Sequence, residues 1–142
     1  EYGVDLDNTD TPLDVGMGFL VAWEKPGGFI GRAALEDVRA AGPPPTRMVR
    51  VVVEGAGNTD VQLFGHEVLH RDGAPVGHLR YGTYGHTLGA ACGQGMVTAE
   101  GGVSAPWIAD GSWSLDAGGR TVPLQVSLRP LHDPAGTSYR GR

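Results

Sequence analysis

The sequence has almost no lysine and almost no cysteine. Lys25 is the sole lysine beside ten arginines, and Cys92 is the one cysteine. A single thiol cannot close an internal disulfide, which suits a reducing compartment. Runs of Lys or Arg are also missing, and the formal net charge is −5. The basic face that would draw nucleic acid or an anionic membrane is therefore not there. No apolar run reaches the roughly 18–20 residues of a membrane span, and the opening shows no signal-peptide pattern. The expected location is cytoplasmic, with no nucleic-acid and no membrane partner. An anionic ligand would have to be met by a local pocket, not by the global field.

What is abundant is chain punctuation. There are 24 glycines and 10 prolines in 142 residues, about twice the usual share. Both residues break helices, so a helical bundle is excluded and short strands joined by tight turns are expected. The hydrophobic content of 40% is ordinary for a globular chain, and the length suits a single core. The first residues, Glu1-Tyr2-Gly3, lack a Met, so the chain reads as a cut through a longer protein.

Along the chain, residues 1–14 form an acidic, turn-rich stretch carrying Asp5, Asp7, Asp10 and Asp14, read as a solvated loop. The run Met17–Trp23 is short, apolar and bounded by turn signals, which predicts a buried strand. Within Gly31–Ala41, Ala34, Leu35, Val38 and Ala41 recur at helical spacing, predicting one helix. Gly42 and Pro43-Pro44-Pro45 stop it and supply a stiff connector, where a boundary is placed.

Beyond the prolines the texture is β. Strands are expected at Met48–Val53, Phe64–His70, Val76–Arg80, Ala90–Val97, Ser112–Asp116 and Thr121–Leu128, with a turn at Gly55–Asp60. Asp72-Gly73 and Gly118-Gly119 are tight-turn signals. Val122, Leu124, Val126 and Leu128 share one face by alternation. The fold class is α+β, mainly β: one short helix followed by a small C-terminal antiparallel barrel.

His66-Glu67-Val68-Leu69-His70 carries the letters of a zinc-peptidase signature, but that chemistry needs a helix. On a hairpin arm the two imidazoles would stand about 13 Å apart, so no metal site is assigned. The stretch Tyr81–Gly89 is rich in glycine and reads as a structural turn. Tyr84 and His86 within it could also meet a ligand. Cys92 lies among small apolar residues without a cationic neighbour and is read as packing. Trp23, Trp107 and Trp113 are read as core or barrel-edge anchors.

Several segments in ordered succession resemble one family. They are Tyr2-Gly3-Val4-Asp5-Leu6-Asp7, Thr11-Pro12-Leu13, Gly16-Met17-Gly18 and Phe29-Ile30-Gly31-Arg32-Ala33-Ala34-Leu35. Leu63-Phe64-Gly65, Glu67, Arg71-Asp72-Gly73, Val76-Gly77, Gly85–Gly89 and Gly95-Met96-Val97 continue the match. The chain resembles the folate-binding aminomethyltransferases, founded on the T-protein of the glycine cleavage system. Its ending, Val126–Pro134, is most similar to the C-terminal module of sarcosine and dimethylglycine dehydrogenases.

The resemblance implies that residues 1–45 are the end of a folate-binding domain and 46–142 a C-terminal barrel. It implies tetrahydrofolate as cofactor, and FAD only where an upstream oxidase-like domain exists. The partners implied are folate itself and the upstream domains or a companion chain of the same enzyme. The catalytic acid and the pterin-holding Glu of the family would precede Glu1, so no catalytic residue is assigned here. Tyr2, Lys25 and Tyr84 are the folate-binding candidates that the resemblance offers. Two further readings stay open: a non-catalytic structural or interaction barrel, as in a phosphatase regulatory subunit, and a folate-dependent demethylase.

Overall fold

A computed structural model describes residues 2–55 and 60–138. The predicted turn at Gly55–Asp60 falls mostly outside the described residues. Six strands form a closed antiparallel barrel: β1 (Thr46–Val53), β2 (Val68–Arg71), β3 (Ala74–Gly85), β4 (Ala90–Thr98), β5 (Trp113–Ala117) and β6 (Arg120–Ser127). Their order round the barrel is β1-β4-β3-β2-β5-β6, and β6 closes on β1 through pairs such as Val51 with Val126. Closure pairs every strand on both sides and removes the exposed edges that invite aggregation.

Alternation decides which side chains enter the barrel. Val49, Val51 and Val53 point inward from β1, Leu115 from β5, and Val122 and Leu124 from β6, all buried together with Leu69, Leu79 and Val97. Val126 and Leu128 pack against this core but are only partly buried. Each such side chain contributes roughly 1.5–3 kcal/mol when fully buried. Trp113 closes one end, its Nε1 donating to the Ile108 carbonyl at 2.9 Å, with Trp107 edge-on at 5.3 Å.

The tight-turn signals hold. Asp72 and Gly73 both have positive φ, 53° and 80°, as a two-residue hairpin loop of the primed type requires. They join Arg71 to its partner Ala74. Glycine has a second use at Gly77, where a Cβ would stand 1.9 Å from the Met96 carbonyl oxygen. Strands β3 and β4 pack there at a distance that only glycine permits.

Three expected elements differ. Met17–Trp23 is not a buried strand: Gly18–Leu20 is a single 3-10 turn, with Phe19 82% and Leu20 67% exposed. Among the described residues no strand pairs with it, and its backbone groups bond locally, Leu20 N–H to the Met17 carbonyl and Val21 N–H to that of Gly18. The strand expected from Phe64 begins only at Val68. Gly65 and His66 carry positive φ, and the Glu67 carboxylate accepts from the Phe64 and Gly65 amides, bending the chain. The glycine-rich turn is shorter than its composition suggests, because β3 runs on to Gly85 and only 86–89 turn.

The predicted helix is there as α1 (Arg32–Ala40), but it buries no residue. A second helix, α2 (Ala105–Ala109), was not expected. Ser104 caps it, accepting from the Trp107 amide, and Pro106 sits in its first turn, a start signal legible in Ser-Ala-Pro.

Candidate functional site

The acidic opening is not a free solvated loop; it is strapped to the outer face of the barrel. Arg80, on β3, donates through Nη1 to Asp10 Oδ2 at 2.5 Å and through Nη2 to Oδ1 at 3.1 Å. The same Nη1 donates to the Asp5 carbonyl at 3.0 Å, and Asp7 stands 3.6 Å away. Arg80 sits where β3 shifts register against β4 between Leu79 and Tyr81, and such bulges re-aim side chains. The bond to Asp10 raises the guanidinium's pKa above its ordinary value, against the opposing effect of burial. Asp7 is held below the usual carboxylate range, first by the Thr9 hydroxyl, then by the Thr9 amide and Arg80. Gln94, on β4, donates to Asp5 and adds a second tie. Beneath these polar ties Val15, Met48 and Met96 form a small apolar cluster joined by Leu6.

The opening segment and α1 leave apolar surface uncovered. Ile30 is fully exposed, and Phe19, Leu20 and Tyr2 are largely so. Two adjoining clefts run over this surface and share Pro12 and Val21. Lys25 lines one of them, a space of about 390 Å³ with Phe29, Ile30 and Leu35. The sole lysine thus stands at the rim of an apolar groove. Tyr84 is elsewhere. It lines a cleft of about 420 Å³ on the barrel with Leu63, Phe64, Gly82 and Thr83, and meets His86 edge-on at 5.2 Å. Tyr2 lies at the opening turn, paired by a bridge to Leu6. Lys25 and Tyr84 share no cleft, and Tyr2 lines neither of theirs.

The remaining sequence motifs resolve plainly. His66 is left-handed and stacks on His78 at 6.2 Å, while His70 sits on β2 with Nε2 3.9 Å from Asp116. The helix that a zinc signature needs is not formed there. Among the described residues no group of three or more His, Cys, Asp or Glu is placed to hold a metal ion. Burial pushes the Cys92 thiol up, against a weaker opposing bond at Gly85, which disfavours the reactive thiolate. Trp107 and Trp113 are barrel anchors, whereas Trp23 is half-buried in the opening layer under Arg39, 4.9 Å from the ring centre. Among the described residues no helix is long and apolar enough to cross a membrane.

A closed six-stranded barrel carrying an N-terminal layer defines the class of fold. Residues 47–133 match the family described as the glycine cleavage T-protein C-terminal barrel domain, and the chain belongs to that family. A 4-methylaminobutanoate oxidase (formaldehyde-forming) of Paenarthrobacter nicotinovorans is 34% identical over 98% of this chain and 16% of its own length. The mitochondrial sarcosine dehydrogenase of Mus musculus is 32% identical over 99% of this chain and 15% of its own. The chain therefore spans about a sixth of these curated relatives. The solved glycine cleavage system aminomethyltransferase T of Bartonella henselae superposes with a TM-score of 0.70. It covers 89% of this chain and 33% of its own at 20% identity, a likeness of fold.

Proposed function

We propose that these residues serve as the C-terminal part of a tetrahydrofolate-linked one-carbon transfer enzyme. In this reading residues 1–45 are the last portion of a folate-binding domain and 46–142 the barrel that supports it. The observation that carries it is the reach of the alignment. Both amine-oxidising relatives match over nearly all of this chain, including the opening layer outside the 47–133 family match. Both are named for oxidising an N-methylated amino acid, so the one-carbon unit would be an N-methyl carbon. The partners are then folate and the remaining domains of the same enzyme.

The residues present suit part of a folate. The groove at Lys25 is apolar with one cation at its rim, which matches an aromatic ring bearing a carboxylate tail. Tyr2 and Tyr84 stand apart from it and would meet folate through groups added around them. Tetrahydrofolate would supply the carbon acceptor, while Lys25 would hold the tail and the barrel would fix the groove through the Arg80 strap.

Calorimetry with tetrahydrofolate tests the reading. The 142-residue chain should give little heat, because most pterin contacts lie outside it. A polypeptide including the preceding residues should bind, and Lys25→Met should weaken that binding about tenfold, the effect of one charge-assisted contact. Tight binding by the 142 residues alone, or none in the longer polypeptide, would overturn it.

A further inference from the structure

Four arginines of the chain hold a carboxylate. Arg32 pairs with Glu36, Arg71 with Asp72, Arg80 with Asp10 and Arg120 with Asp60. Arg47 and Arg50, on β1, hold none among the described residues, although both are partly buried. The Nε of Arg47 is buried and has no hydrogen-bond partner. Among the described residues Arg50 reaches the Leu128 carbonyl alone, at 3.5 Å. Its guanidinium is pushed below its ordinary pKa by burial and then by the charge of Arg47. Two neighbouring cations, part-desolvated and bonded to no carboxylate among the described residues, are costly.

Both guanidinium tips converge on Gly16. A Cβ there would stand 3.7 Å from Arg50 Nη1 and 3.8 Å from Arg47 Nη2. A carboxylate offers two oxygens about 2.2 Å apart, each accepting an N–H donor at about 2.9 Å, one for each guanidinium. Gly16 has φ of 75° and leaves that space open. Arg50 also forms one wall of a cleft of about 360 Å³, with Tyr81, Thr83, Gln94 and Leu131. Strand register sets Arg50, Gln94 and Tyr81 in one row across β1, β4 and β3. Asp5 stands on the same cleft, tied to Gln94, so a ligand's negative group is directed to the arginine side.

We infer that Arg47 and Arg50, converging beside Gly16, form a receptor for one oxyanion, a carboxylate or phosphate borne by a small molecule lying in the Arg50 cleft. The site is separate from the Lys25 groove and shares no residue with it. It stands whether or not the folate reading does.

Glutarate, its neutral isostere glutaramide and inorganic phosphate are the probes, titrated into the chain at low salt. Amide shifts of Gly16 and the Nε–H shift of Arg47 should move saturably with glutarate, at a dissociation constant of about 1 mM. Phosphate should compete at the same signals, and the tighter of the two identifies the ligand chemistry. Arg47→Gln and Arg50→Gln should each weaken binding about tenfold. A measurement that needs no variant is the thermal midpoint, which should rise in about 20 mM glutarate but not in glutaramide. An equal response to glutaramide, no saturable shift with either anion, or unchanged affinity in both variants would overturn the receptor.

Discussion

The barrel and the layer that precedes it are built on opposite terms. Among the described residues Val15 and Pro44 are the buried apolar ones before Thr46; the others belong to the barrel and its connections. The barrel hides its valines and leucines inside a closed wall. The layer turns Phe19, Leu20 and Ile30 outward, and α1 hides nothing. Alternation on paired strands makes a core from local pattern plus closure. The layer has apolar residues in similar density but presses little beyond Leu6 and Val15 against the barrel, so it is held mainly by polar ties to Arg80 and Gln94. Apolar content alone does not make a core.

The largest expected effect breaks the barrel side of this contrast. Gly77→Ala places a methyl against the Met96 carbonyl, and Leu115→Ala empties a fully buried site. Each should cost about 3 kcal/mol or more in urea unfolding. Ile30→Ala, at a fully exposed position of the layer, should stay within about 0.5 kcal/mol. Equal losses would erase the distinction.

A middle-sized effect separates the two regions without damaging either. Asp10 and Arg80 are 7% and 16% exposed at their side chains, so removing one partner strands the other. Arg80→Met should cost about 2 kcal/mol and speed amide exchange in residues 5–16 while β1 and β4 stay protected. Uniform acceleration through the barrel would mean that the strap is part of the core.

The smallest effect lies in the tail after the barrel. Asp133 accepts from the Thr137 hydroxyl and from the Thr137 and Ser138 amides. The hydroxyl first, then the amides, hold its carboxyl at about 2, below the ordinary 3.8. The folded turn therefore binds that proton less tightly than an unfolded chain does. Its stabilisation is complete above 3.8 and is lost as pH falls through about 2. Following the Thr137 and Ser138 amide shifts against pH should give this midpoint, while barrel signals stay put until general acid unfolding.

Legibility in the sequence follows the range of the interactions. The barrel strands and both glycine turns were readable because alternation and turn chemistry act over a few residues. The family resemblance likewise rested on ordered short segments and placed the chain correctly. Met17–Trp23 misled because an apolar run predicts burial only if something covers it. The Arg80 strap could not be read at all: Asp10 lies 70 residues away, and both looked like scattered surface charges. Arg47 and Arg50 are two among ten arginines in the sequence, and only the fold brings both to Gly16. Ser104-Ala105-Pro106 is a local helix-start signal, legible in the sequence without the fold.

The three prolines after α1 lie against the 99–103 turn. Pro44 is buried, and its carbonyl accepts the Val103 amide, as that of Pro45 accepts Ala99. The Pro43 carbonyl lies so near Gly102 that a Cβ there would stand 2.4 Å from its oxygen. The joint between layer and barrel is thus clamped against the 99–103 turn along its length, with no free swivel. The chain therefore enters β1, where Arg47 and Arg50 sit, from a direction that the 99–103 turn fixes.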